Sequence, residues 1–259
     1  MLIDIKSEGK FKYIETGGDG TPLVLLHGLM GALSNFKGII KKFSESHNVV
    51  VPMLPIFDMP MLELGVMGLV RYVEEFITYK GYGQVHLLGN SLGGHIGQLY
   101  ALENADKVQS LILTGSSGLF ESAFGNSFPK RGNRQYIQEK VESVFYNKEV
   151  ADKDLVDEVF TTVNDRLKAL RIVKTAKSAV RHNLGDKLHM LTLPVLLIWG
   201  REDEVTPAWV GEKFHELLPN SELHILEKCG HAPMMEHPDR FNYILLTFLD
   251  SIETSAAVS

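Results

Sequence analysis

Five residues constrain this chain more than any others: Gly89-Asn90-Ser91-Leu92-Gly93. An apolar run over residues 85–88 precedes them and reads as a buried strand, and residues 94–102 suit a helix. Glycines two before and two after a serine, at a strand-to-helix corner, mark a turn so tight that a Cβ at either glycine would collide across it. Such a turn holds Ser91 in strained backbone geometry and projects its hydroxyl to a helix N-terminus, where backbone N–H groups favour a developing anion. The pattern alone is short, so its weight depends on the segments that accompany it.

Those segments fall in a regular order. Residues 2–6 and 11–16 alternate apolar and polar around Ser7-Glu8-Gly9, the pattern of an antiparallel hairpin. Residues 23–26, 48–51, 108–113, 195–199 and 223–226 are apolar runs between turn signals, as expected of strands covered on both faces. Helical spacing occupies 32–43, 60–79 and 240–252, with a frayed tail over 253–259. Asp58 reads as a helix cap and His237 as a cap for the last helix. The alternation predicts an α/β fold: a mostly parallel sheet with helices on both faces. From 116 to 191 there are helical patterns (136–146, 152–162 and 164–177, the second opened by Asp152 as N-cap) and no convincing strand. The chain therefore divides into a core over 1–115, a helical insertion over 116–191 and the rest of the core over 192–259.

Composition narrows the partners. The net charge of −6, with no basic cluster that stands out, gives no electrostatic case for nucleic acid. The single Cys229 excludes an intramolecular disulfide and fits a reducing compartment. No apolar run reaches membrane-spanning length and the N-terminus lacks the basic start of a signal peptide. A cytoplasmic protein with a small-molecule substrate is expected, without nucleic acid, membrane, metal or cofactor; a homodimer is left open.

Ser91 needs a proton acceptor before it can attack, and the acceptor needs an acid to orient it. Asp203 follows the strand 195–199 and His231 follows the strand 223–226. In a parallel sheet these strand ends share one edge, so loops distant in sequence converge there. His47, His86 and His224 lie in or beside strands and read as structural, and His27 as shaping the loop before the first helix. Residues Thr114-Gly115-Ser116-Ser117 offer no alternative carboxylate, Glu202 and Glu204 read as solvated neighbours of Asp203, and Cys229 reads as a small buried thiol.

His27-Gly28-Leu29, the 89–93 turn, Asp203 and Gly230-His231, in that order, resemble the α/β-hydrolase superfamily, serine-nucleophile branch, over essentially the whole chain. The resemblance implies Ser91 as nucleophile, His231 as base and Asp203 as its orienter. It implies an oxyanion hole from the backbone N–H groups of Leu29 and Leu92, with Met30 as the alternative to Leu29, and a cap made by the helical insertion. Apolar insertion residues (Leu119, Phe120, Phe124, Phe128, Val144, Phe145, Val159, Phe160, Leu167, Ile172), with Met30 and Met234, suggest an apolar acyl or alcohol group.

Gly89 to Gly94 with Thr114 to Leu119, and Lys228 to His231 with Glu236 to Asn242, resemble more narrowly the meta-cleavage-product hydrolases, which cleave carbon–carbon bonds in dienoates. That likeness implies substrate contacts from Asn35, Asn90 and Ala232. The chain departs from it in three places. Ala232 replaces a tryptophan, Val159 aligns with a cap arginine that binds the substrate carboxylate, and residues 52–60 lack the glycine-rich turn common in the superfamily. The functional expectation is an ester-cleaving serine hydrolase working through an acyl-enzyme. Its alternatives are a carbon–carbon bond hydrolase and a slow-turnover small-ligand receptor.

Overall fold

The apolar runs and the N-terminal hairpin assemble into one eight-stranded sheet. The computed structural model describes residues 4–31, 33–120 and 130–258. Strands β3 (Leu23–Leu26), β4 (Val49–Pro52), β5 (Val85–Asn90), β6 (Val108–Thr114), β7 (Val195–Gly200) and β8 (Ser221–Leu226) run parallel. The hairpin β1 (Lys6–Glu8) and β2 (Phe11–Glu15) adds antiparallel strands beside β4, giving the order β1-β2-β4-β3-β5-β6-β7-β8. Its first strand lies later than expected. Glu8 pairs with Phe11, so the turn is Gly9-Lys10, with Gly9 at φ 57°.

Side chains alternate between two apolar layers. Val24, Leu26, Leu87, Leu111, Leu113 and Leu197 face α2 (Val66–Tyr79), α3 (Leu92–Glu103) and α7 (Ala208–Leu217). Leu23, Leu25, Leu88, Ile112, Leu196 and Ile198 face α1 (Lys37–Phe43), the one-turn α8 (Pro233–Glu236) and α9 (Pro238–Val258). With both faces covered, a central strand has no polar side, which is why its sequence does not alternate. Each such side chain contributes about 1.5–3 kcal/mol when fully buried.

Several helix boundaries differ from the sequence expectation. Helix α2 starts at Val66, not near residue 60. Upstream, the side chains of Arg171 and Lys174 take the carbonyls of Met59 and Met61. The helix is opened instead by Ser178 Oγ, which accepts the Val66 N–H at 3.0 Å from more than a hundred residues away. Asp58 sits exposed in a turn and caps no helix. Helix α9 runs on to Val258, into the tail expected to fray.

Between β6 and β7 the described residues form helices and no strand. These are α4 (Arg134–Glu142), α5 (Lys153–Asn164) and α6 (Arg166–Arg181), capped by the side chains of Asn133, Asp152 and Asp165. Phe124 and Phe128 lie outside the described residues.

Candidate active site

The turn after β5 has the geometry its glycines predict. Ser91 adopts φ 55°, ψ −120° and its hydroxyl makes no cap hydrogen bond to α3. A Cβ on Gly93 would lie 1.9 Å from the Leu26 carbonyl oxygen, and one on Gly89 would lie 2.3 Å from Gly94 N. The strained backbone is held from both sides. Ser91 N–H donates to the Thr114 carbonyl at 3.1 Å, and the Ser91 carbonyl accepts from Gly94 and Ser117 N–H at 3.1 Å each. Leu92 opens α3, where a backbone N–H has no acceptor within the helix.

Asp203 leaves the end of β7 and His231 the loop after β8. His231 Nδ1 donates to Asp203 Oδ2 at 2.8 Å, with the Asp203 side chain fully buried. Asp203 Oδ1 accepts from Val205 and Thr206 N–H at 2.8 and 2.9 Å, and Oδ2 accepts from Thr206 Oγ1 at 2.9 Å. Thr206 was not foreseen as part of the site. The signal was present: an Asp followed three residues on by Thr, directly before Pro207, is the spacing of a side-chain-capped turn.

The His231 loop is pinned from several directions. Asn90 Nδ2 donates to the carbonyls of Thr114 and His231 at 3.0 and 3.1 Å, which uses both of its amide hydrogens on backbone. Glu202 accepts from Cys229 N–H at 2.9 Å, so it is not merely a solvated neighbour. His231 N–H donates to the Val144 carbonyl of the helical insertion at 2.8 Å. Glu236 joins the two parts directly, accepting from Gly230 N–H at 2.5 Å and from Asn147 N–H at 2.9 Å. A Cβ on Gly230 would lie 2.5 Å from the Val144 oxygen, so only glycine permits this approach. Cys229 is buried, and burial, with Glu236, Asp203 and Glu202 nearby, pushes its thiol up. His237 stands at the start of α9 and its carbonyl accepts from Phe241 N–H at 2.9 Å, while its ring donates to the Lys228 carbonyl at 2.9 Å.

His27 shapes the loop after β3. Its Nδ1 donates to the Gly28 carbonyl at 2.8 Å and its Nε2 accepts from Leu54 N–H at 3.1 Å. Burial disfavours the charged ring and holds its pKa down, against the opposing pull of the Gly28 carbonyl. One neutral imidazole thus ties the loop at 28–31 to the segment after β4.

These loops and the helical insertion enclose a cavity with about 780 Å³ of space, partly open to solvent. Ser91, His231, Leu29, Met30, Asn35, Asn90 and Ala232 all line it. Val141, Val144, Phe145, Leu155 and Val159 supply the facing wall. Met235, not Met234, reaches the cavity, since Met234 is buried in the core. Leu167 is exposed and Ile172 packs inward. No arginine is among the described lining residues; Lys140 is their one cation. Arg171 is spent on the Met59 carbonyl at 2.6 Å and Arg134 on Asp157. The His231 Nε2 is buried without a protein partner, and the Ser91 hydroxyl does not bond to it. Contacts of this kind commonly close only when substrate is bound. Among the described residues no cluster of His, Cys, Asp and Glu could hold a metal ion, and no helix is long and apolar enough to cross a membrane.

Comparison with known proteins agrees with this architecture. Residues 21–238 match the family described as the alpha/beta hydrolase fold. A 2-hydroxy-6-oxononadienedioate/2-hydroxy-6-oxononatrienedioate hydrolase of Paraburkholderia phymatum is 31% identical, over 94% of this chain and 92% of that protein. The crystal structure of an alpha/beta hydrolase from the metagenome of Mar Chica lagoon sediments superposes with TM-score 0.80 at 43% identity, covering 96% of this chain and 99% of that one. A 2-hydroxy-6-oxo-6-phenylhexa-2,4-dienoate hydrolase of Rhodococcus shares the fold with TM-score 0.83 at 23% identity, covering 96% of this chain and 100% of that one. The strand order, the strained serine at the β5–α3 corner and these likenesses together establish that the chain belongs to the α/β-hydrolase family and resembles its carbon–carbon bond hydrolases.

Proposed function

We propose that this hydrolase cleaves carboxylic esters with a mainly apolar acyl group through an acyl-enzyme. The residues at 116–191 act as a cap over a core made of 1–115 and 192–259. The observation that carries the reading is the imidazole geometry. Because Nδ1 gives its hydrogen to Asp203, Nε2 keeps a lone pair, buried in the same cavity as Ser91. Nε2 takes the hydroxyl proton as Ser91 Oγ adds to the ester carbonyl. The tetrahedral oxyanion is held by the N–H groups of Leu29 and Leu92. Collapse expels the alcohol, which takes the proton from Nε2. Water then adds to the acyl-enzyme by the same route and releases the acid.

The apolar wall with Val159, and no arginine among its described lining residues, supports a neutral ester over a charged dienoate. Asn90, with its amide hydrogens on backbone, positions His231 and leaves its side-chain oxygen for substrate contact. The second reading, carbon–carbon bond hydrolysis, is supported by the names of the relatives, which are dienoate hydrolases at 31% and 32% identity.

Fluorophosphonate labelling tests the nucleophile, and a p-nitrophenyl ester panel run beside a dienoate separates the two readings. Labelling that depends on Ser91, with turnover of short or medium acyl esters, is expected. Faster turnover of the dienoate assigns the second reading. Absence of labelling overturns both and leaves a ligand-binding protein on a hydrolase fold.

A further inference from the structure

Helix α6 carries six cationic residues and no acid between Arg166 and Arg181. This is unusual in a chain of net charge −6. Its inward face is Ile172, Thr175, Ser178 and Ala179, which are buried. The outward face presents Leu167, Leu170, Val173 and Val180 at three- and seven-residue spacing, 71%, 53%, 38% and 55% exposed, interleaved with exposed Arg166, Lys177 and Arg181. The other cations hold the neighbouring loop. Arg171 binds the Met59 carbonyl, Lys174 the Met61 carbonyl, and Lys168 lies over the Phe57 ring. That tether presents Met61 and Leu62, the latter 98% exposed. Of the thirteen exposed large apolar side chains among the described residues, six belong to this helix and loop, so the exposure is concentrated rather than scattered.

We propose that α6 and the 56–62 loop form a docking surface for an anionic phospholipid bilayer. The helix lies flat, its cations at the headgroups and Leu62, Leu167 and Leu170 in the acyl boundary. A second copy of the chain fits less well, because an isologous contact sets this cationic face against itself. Nucleic acid would use the cations but leave the leucines without a role. The acids near the surface are few. Asp58 lies on the loop and Glu63 directly after it, and Asp165 is occupied by the N–H groups of Leu167 and Lys168. The surface is separate from the lining of the active-site cavity, and the proposal does not depend on the reaction assigned to that cavity.

Co-sedimentation of the full chain with vesicles tests it. Phosphatidylcholine alone should bind weakly, and phosphatidylcholine with phosphatidylglycerol should bind in a salt-sensitive way. Reversing two cations (Lys177→Glu with Arg181→Glu) should lower the partition coefficient at least about tenfold, since each cation near the surface is worth roughly fivefold. Leu62→Ser should weaken binding with the charge unchanged. Turnover of a soluble ester, or circular dichroism if none is turned over, serves as the folding control for each variant. Absence of binding to anionic vesicles at low salt overturns the proposal, as does equal binding to neutral ones. A dimer by light scattering that Leu62→Ser dissociates also overturns it and assigns the surface to a second copy.

Discussion

Ser91 shows the cost of the site most directly. A non-glycine residue at φ 55°, ψ −120° stores on the order of 1–3 kcal/mol of backbone strain. Ser91→Ala keeps that strain and removes the oxygen; Ser91→Gly removes both. Both should lower kcat by about 10⁴-fold or more. The glycine variant should nevertheless be more stable than the alanine variant by about 1 kcal/mol, reversing the usual order at an ordinary position. Thermal denaturation checks this, and an alanine variant equal to or above the glycine variant would show the turn to be unstrained. Ser91, Asp203 and His231 were legible in the sequence because each sits at a strand end whose apolar run is easy to recognise. Thr206 was not, because its part depends on where a hydroxyl lands relative to a carboxylate from the same turn.

At the scale of elements, Glu236 couples the helical insertion to the His231 loop through one carboxylate. Glu236→Gln retains one acceptor oxygen and Glu236→Ala none. Turnover should fall in steps, several-fold for glutamine and about tenfold to a hundredfold for alanine, mainly in kcat. A uniform rise in KM with kcat unchanged would place Glu236 in substrate binding instead. Helix α3 offers a pH test. Burial holds the His95 pKa down to about 4, opposed by the His182 carbonyl that accepts its Nε2–H at 2.8 Å and aided by the charge of His182. Burial, with His47 nearby, likewise holds His86 down to about 4. Each ring folds neutral and binds its proton more readily when unfolded, near the usual 6.5. Their contribution is therefore complete above about pH 6.5 and is lost as pH falls toward 4, up to about 3 kcal/mol each. Tm should drop steeply across that window, and less steeply in His95→Gln. A slope unchanged by that substitution would place the acid sensitivity elsewhere.

Specificity belongs to the whole molecule, because the cavity lies where the insertion meets the sheet edge. Val159, from α5, faces the loop after β3 across more than a hundred residues of sequence. Val159→Arg should place a guanidinium on this wall and lower KM for an ester bearing a distal carboxylate about tenfold relative to its neutral analogue. An unchanged KM ratio would show that the wall does not touch that end of the substrate.

The sequence alone determined the sheet, the order of its parallel strands' loops and which side chains (Ser91, Asp203 and His231) those loops bring to one edge. Continuous apolar runs, glycine-only turns and capping spacings are local properties, and the covalent order of the chain carries them. Tertiary structure decided what depends on contacts between distant segments. It moved the start of α2 to Val66 through Ser178, turned Asn90 toward backbone, chose Met235 over Met234 and gathered the cations of α6 beside Leu62. Each of these is a competition for one donor, one acceptor or one patch of apolar surface, and its outcome is fixed only when the competing groups are brought within a few ångströms of each other.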